Sequence, residues 1–231
     1  MDRRVKYRPG GEHYGVWLVV HWKDTLTELA LPADGRVPPV FKPYHVAVAT
    51  VMIGRQQPLG RYELCENMSI GEGSVRTLLR RLADSGYITP EGRQGQKLTA
   101  EGASLFEDLT NDVPLGLFLN VGNLTVFKQS FANIVKGKAE SVVDGIRQRD
   151  EAIIQGGAGN AGATTLVMKE GLLLMPPDDF NILSTYPEET LLITDSLRPE
   201  DGDAIVIGSS DDGNLAREVS MAAVMTLFEE D

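Results

Sequence analysis

Between Glu72 and Ser85 the apolar residues Val75, Leu78, Leu79 and Leu82 recur at i, i+3, i+4 and i+7, and this stripe limits what the chain can fold into more than any other stretch. A helix of that period buries the stripe and leaves its opposite face in water. At about 100° per residue, Gly73, Thr77, Arg80 and Asp84 point away from the stripe, Ser74 and Arg81 flank it on one side, and Arg76 flanks it on the other. Three arginines and no lysine therefore occupy the wet surface. Ser69 followed by Glu72 predicts a capping box at the start, and Gly86 stands where a left-handed residue commonly ends a helix.

The flanking residues decide what kind of helix this is. Arg61 to Asn67 reads as a short helix with Leu64 and Cys65 inward, and Met68 to Gly71 is the length of turn that joins two helices at a steep angle. Downstream, Tyr87-Ile88 and Lys97-Leu98 are strand candidates separated by the turn formers Thr89 to Gln96, with Arg93 among them. Thr99 then caps a helix from Ala100 to Thr110 with Leu105, Phe106 and Leu109 inward, and Pro43 opens an earlier helix from Tyr44 to Ile53. The order is helix, helix, recognition helix, hairpin, helix, which predicts a winged helix-turn-helix over residues 41–112.

The runs Pro58-Leu59-Gly60-Arg61, Leu64 and Gly71 to Arg80, together with Arg149 to Ile153, Tyr186-Pro187-Glu188 and Asp201 to Ala204, resemble a group of archaeal winged helix-turn-helix proteins. That group is described as transcriptional regulators, and its second domain is of unknown function. The resemblance covers residues 44 to 228. It implies DNA binding, and for the second domain a two-layer α/β fold similar to the GAD domain inserted in some tRNA-handling enzymes. It brings no catalytic residue.

Charge bears on that implication, because the 231-residue chain carries a formal net charge of −11. The acidity is unevenly placed: residues 40–110 hold 8 basic and 8 acidic side chains, residues 1–39 hold 6 and 5, and residues 111–231 hold 8 and 20. A neutral unit with arginines gathered on one helix and one hairpin can still bind phosphates, since the local field matters more than the total. Non-specific affinity should be weak and salt-sensitive. Acidity in the second half also serves solubility alone. The single Cys65 reads as a core thiol inside the helix-turn-helix. The start Met1-Asp2-Arg3-Arg4 and the short apolar run Val16 to Val20 resemble neither a signal peptide nor a membrane span, so a cytoplasmic location is expected.

Residues 1–40 form an N-terminal extension outside the resemblance. It begins with the basic residues Arg3, Arg4, Lys6 and Arg8, a frayed end or an arm along a DNA backbone. Tyr14 to Trp22 is β-rich, Asp24 to Leu31 is helical or irregular, and Pro32 to Pro39 is a linker. Two exposed tryptophans would be costly, so this segment is expected to pack on the rest of the chain or on a second copy. Residues 113–231 read as strands Leu115 to Asn120, Leu124 to Phe131, Ala163 to Lys169, Leu172 to Met175 and Asp203 to Gly208, with helices Ala139 to Ile154 and Leu215 to Phe228 and an irregular Pro176 to Asp195. That predicts one sheet covered on one face, and an α+β class for the whole.

Gly157-Ala-Gly-Asn-Ala-Gly162 fits the dinucleotide pattern, but a helix precedes it and a strand follows, the reverse of the order that delivers a pyrophosphate to a helix N-terminus. A helix-to-strand loop is the better reading. With only His13, His21 and His45 and one cysteine, neither a zinc site nor a histidine-based triad is expected, and the acidic pairs from Asp178 to Asp212 read as solvated turns. The chain is therefore expected to be neither an enzyme nor a cofactor binder. The expected partner is double-stranded DNA, contacted by Ser74, Arg76, Thr77, Arg80, Arg81 and Arg93, with the protein acting as a homodimer. Arg147, Arg149, Asp150 and Glu151 are either an ion-pair network or a site for a small-molecule effector. The opposing reading is an RNA-linked or protein-binding module.

Overall fold

The computed structural model describes residues 20–32 and 37–229. The basic residues Arg3 to Arg8, the run from Tyr14 to Val19 and residues 33–36 of the linker lie outside the described residues.

The first helix, α1 (Trp22–Ala30), starts inside the segment read as β-rich. His21 caps it, its Nδ1 accepting the Lys23 N–H at 3.2 Å. Trp22 is buried, its indole N–H donates to Asp112 Oδ2 at 2.7 Å, and its ring meets the Phe228 ring edge-on with centroids 4.9 Å apart. This tryptophan therefore packs within its own chain rather than on a second copy, which removes Trp22 from the expected dimer contact.

Five elements follow in the expected order: α2 (Pro43–Gln56), α3 (Arg61–Glu66), α4 (Glu72–Asp84), the hairpin β1 (Ile88–Glu91) and β2 (Gly95–Leu98), then α5 (Ala100–Asp112). Val75, Leu78, Leu79 and Leu82 of α4 are all buried, as the stripe requires, each burial worth about 1.5–3 kcal/mol. Reciprocal backbone bonds of 2.9 Å between Leu59 and Gln96 add a third extended segment to the hairpin. The expected Ser69–Glu72 capping box does not form. Gly71 is the N-cap of α4, while the Ser69 side chain is drawn away by a carboxylate from the far end of the chain.

The remaining elements are β3 (Leu115–Phe118), β4 (Gln129–Val135), α6 (Ile146–Gly156), β5 (Ala161–Lys169), β6 (Leu172–Met175), β7 (Phe180–Asn181), α7 (Pro187–Leu197), β8 (Ala204–Ser210) and α8 (Gly213–Met225). The strands form one antiparallel six-stranded sheet in the order β3-β4-β8-β5-β6-β7. Central β8 is buried along its whole length because both faces are covered. Ala204 and Val206 share a core with Met221, Ala222 and Met225 of α8, while Ile205 and Ile207 pack with Ile193 and Leu197 of α7. The two-layer expectation is corrected by α7, which lies in the stretch read as irregular. Pro187 sits at the first position of the helix, where its fixed φ and missing N–H cost nothing. Backbone approach between α8 and the sheet is close at Gly208, where a Cβ would stand 2.4 Å from Ser220 N and 2.5 Å from Ala216 O.

One core joins the two halves. Ile53, Leu64, Val75 and Leu79 belong to the same buried cluster as Met221, Val224 and Val206, so α2 and α8 meet as packed helices; only Val113 and Pro114 separate α5 from β3.

Candidate nucleic-acid interface

The outer face of α4 stays open while its inner face is buried. Arg80 is exposed and has no hydrogen bond or ion pair among the described residues; a Cβ added at Gly73, on the same face, would meet nothing within 4 Å. Arg76 is exposed and its Nη2 lies 3.1 Å from Glu72 Oε1, an i,i+4 pair; Glu72 also takes Arg61 at 3.4 Å. Such exposed pairs contribute little to stability, about 0.3–0.5 kcal/mol, so Arg76 is readily released to another anion. Ser74 and Thr77 are half-buried, and the Thr77 hydroxyl donates to the Gly73 carbonyl at 2.9 Å. Arg93 is exposed at the hairpin tip between Gly92 and Gln94, also without a partner among the described residues.

Arg81 is placed differently from the other arginines. Its guanidinium donates to the carbonyls of Leu29 (3.0 Å) and Leu31 and lies 5.6 Å from the centre of the Phe41 ring. It closes the C-terminal end of α1, whose last carbonyls lack helical partners. The structure thus brings Arg76 and Arg80 together on the open face and sets Arg81 in a bracket behind it. The sequence could not separate them, because the docking of α1 is invisible to helical periodicity.

The turn that leads into α4 is held by a buried carboxylate that no motif or spacing in the sequence marks. Glu218 on α8 is 1% exposed, and its Oε1 accepts the Ser69 backbone N–H at 2.8 Å. Oε2 takes the Ser69 hydroxyl and lies 3.4 Å from His45 Nε2 on α2. His45 Nδ1 accepts the Lys42 N–H at 2.9 Å, which leaves Nε2 to carry the proton toward the carboxylate. Burial, with the charges of Glu218 and Glu151 adding to it, pushes the nearby Tyr44 hydroxyl far above the usual phenol range. The next residue, Arg217, donates to the Asn67 carbonyl at 3.3 Å, so α8 grips the α3–α4 turn with two adjacent side chains. Cys65, on α3, is half-buried at the edge of the core rather than inside it; burial pushes its thiol up, and Glu72 adds to the rise.

The four residues expected at an effector site lie along α6. Arg147 pairs with Glu229, Arg149 Nη2 is 3.1 Å from its neighbour Asp150, and Glu151 accepts from Gln155 at 2.8 Å. Two of these contacts are ion pairs, neither of them between residues three or four apart, and the third is a hydrogen bond one turn along the helix. The glycine-rich loop follows the other end of α6, about 13 Å along the helix from Arg147 at 1.5 Å per residue. The loop itself is the turn from α6 into β5, with Gly157 and Gly159 at φ of 88° and 81°.

Residues 126–227 match the family model described as a domain of unknown function, DUF4443, and residues 46–104 match that of the PH0730-like, N-terminal domain. Among solved structures, the chain is similar to hypothetical protein PH0730 from Pyrococcus horikoshii OT3, at 28% identity and a TM-score of 0.64, with 80% of this chain and 92% of that one covered. No curated protein matches.

Proposed function

We propose that residues 41–112 are a winged helix-turn-helix that binds double-stranded DNA, with α4 in the major groove and the β1–β2 hairpin as the wing, and that the protein is a transcriptional regulator. The observation that carries this reading is the open face of α4: among the described residues Arg80 has no partner and Arg76 is held only by an exposed carboxylate, and Gly73 leaves room for close approach. Arginine reads guanine through two parallel hydrogen bonds, and the hydroxyls of Ser74 and Thr77 suit phosphate or thymine. Arg93 supplies a backbone contact from the wing. Arg81 is left out, since it brackets α1.

A single winged helix buries too little surface for regulatory affinity, so two copies on a palindrome are part of the proposal. Light scattering that shows a single-chain mass at all concentrations would remove that part. For the DNA contact, affinity for a duplex is measured against salt. Each phosphate neutralised contributes about −0.9 to the slope of log K against log salt, so three such arginines per copy give at most about −3, or about −5 for a dimer. A duplex not retained at about 50 mM salt contradicts the reading.

A further inference from the structure

A cleft of about 270 Å³ opens where α2, the β3–β4 edge and α8 meet. Two arginines face it, Arg55 from α2 and Arg217 from α8, and no carboxylate lines it. In a chain of net charge −11 this is an unusual place for uncompensated positive charge. Arg55 Nη2 reaches the Pro114 carbonyl at 2.9 Å and Arg217 Nη1 the Asn67 carbonyl at 3.3 Å, but among the described residues neither has an ion pair. Burial lowers the pKa of both below the usual guanidinium range, and both remain cations. Glu218, the one acid adjoining Arg217 on α8, is turned to Ser69 and His45.

The rest of the lining matches a flat apolar body. The Arg217 guanidinium lies 5.1 Å from the centre of the Phe118 ring and 5.5 Å from that of Phe131, and those two rings meet edge-on with centroids 4.9 Å apart. Met52 and Leu117 line the same space, and Asn133, buried, anchors the floor by donating to the Ser220 hydroxyl at 2.8 Å. We propose that this cleft binds a small organic anion, a single ring bearing a carboxylate or phosphate, with the anionic group between Arg55 and Arg217 and the ring against Phe118, Phe131 and Met52. The volume lies just under the range of drug-sized ligand sites, which limits the occupant to about one ring. Two cations with free donor edges in a partly dry cleft suit one planar anion better than a neutral molecule.

Occupancy bears on α4. Arg217 holds the Asn67 carbonyl at the start of the α3–α4 turn, and an anion that draws its guanidinium into the cleft competes with that bond. This link rests on the regulator reading; the binding itself does not.

The test uses the full chain, with benzoate, phenylacetate and phenyl phosphate as probes and benzamide as the neutral control, followed by amide chemical shifts. At the affinity per atom usual for such small ligands, the expected dissociation constant of the best anion is on the order of 1 mM. Shifts should fall on Asn67, Phe118, Asn133 and Arg217, with benzamide and the Arg55→Gln variant each roughly tenfold weaker. Arg55 stands at the rim, so this variant keeps the test decisive even where Arg217→Gln loosens the fold. The proposal is overturned if no anion moves these amides at about 10 mM, if benzamide binds as well as benzoate, or if Arg55→Gln binds like the parent. None of these readouts involves DNA, so failure of DNA binding and failure of the anion site are separately visible.

Discussion

Glu218 and Ser69, 149 residues apart in the chain, are joined twice: one carboxylate oxygen accepts the Ser69 backbone N–H at 2.8 Å and the other takes its hydroxyl. The last helix of the sheet domain thereby fixes the turn that leads into α4. Since the same carboxylate faces His45 of α2 at 3.4 Å, three elements converge on one buried charge. A buried charge of this kind is stable only while its partners are present.

Replacing Glu218 with Ala strands the Ser69 N–H and opens a void beneath the turn, and should destabilise the fold by about 2–5 kcal/mol. Gln keeps the shape but loses the charge, and should cost about 1–3 kcal/mol. Urea denaturation of the two variants checks the order; losses of less than about 0.5 kcal/mol in both would mean the contact contributes nothing.

The Trp22–Asp112 anchor predicts an acid limb in the stability curve. Burial alone would raise the Asp112 carboxyl, but the hydrogen bonds of His21 and Trp22 outweigh it and hold the group below the usual carboxylate range. A folded-state pKa lower than the unfolded one stabilises at pH above the unfolded value, about 3.9, and that stability is lost as pH falls through the folded value. Asp112→Asn should therefore flatten the loss of melting temperature below about pH 4 relative to the parent chain. Parallel curves for the two proteins would refute the assignment.

Arg80→Ala and Leu79→Ala should separate cleanly. Arg80 touches no core, so its loss should change folding by less than about 0.5 kcal/mol and DNA affinity by about 1–3 kcal/mol. Leu79 is buried in the shared core, and its truncation should cost about 2–5 kcal/mol of stability. Thermal melts and a binding titration on both variants read the two effects. An Arg80→Ala protein that melts early but binds normally would make the outer face structural.

Glu72 pairs with Arg76 and Arg61 at the start of α4; if that face takes DNA as proposed, the carboxylate would place negative charge beside the phosphates. Glu72→Gln should raise affinity for any duplex by roughly threefold to tenfold at low salt while leaving stability within about 0.5 kcal/mol. A fall in affinity would instead assign Glu72 a direct base contact.

How far the sequence revealed this molecule depended on how local each signal was. The α4 stripe is a property of one helix, and Val75, Leu78, Leu79 and Leu82 are buried as read. Strand β4 was displaced by several residues, because the apolar run from Leu124 to Val135 offers several starts and pairing with β8 chooses Gln129–Val135. The expected helix from Ala139 was cut in two by Gly145, at φ 74°, which leaves α6 to begin at Ile146. Glu218, Arg217 and Arg81 draw their roles from partners brought up by tertiary packing, and no spacing rule along the chain marks them. The cleft is of the same kind: Arg55 and Arg217 face one space only after α2 lies against α8.

Selection from a random duplex DNA pool at low salt, with a pool of structured RNA in parallel, tests the central claim that the open face of α4 reads DNA. The expected result is one enriched motif containing a guanine, arranged as an inverted repeat with half-sites about one helical turn apart, and lost when Arg80 is replaced by Ala. A DNA pool that stays unenriched while structured RNA is retained would contradict the account and make the α4 face an RNA-binding surface.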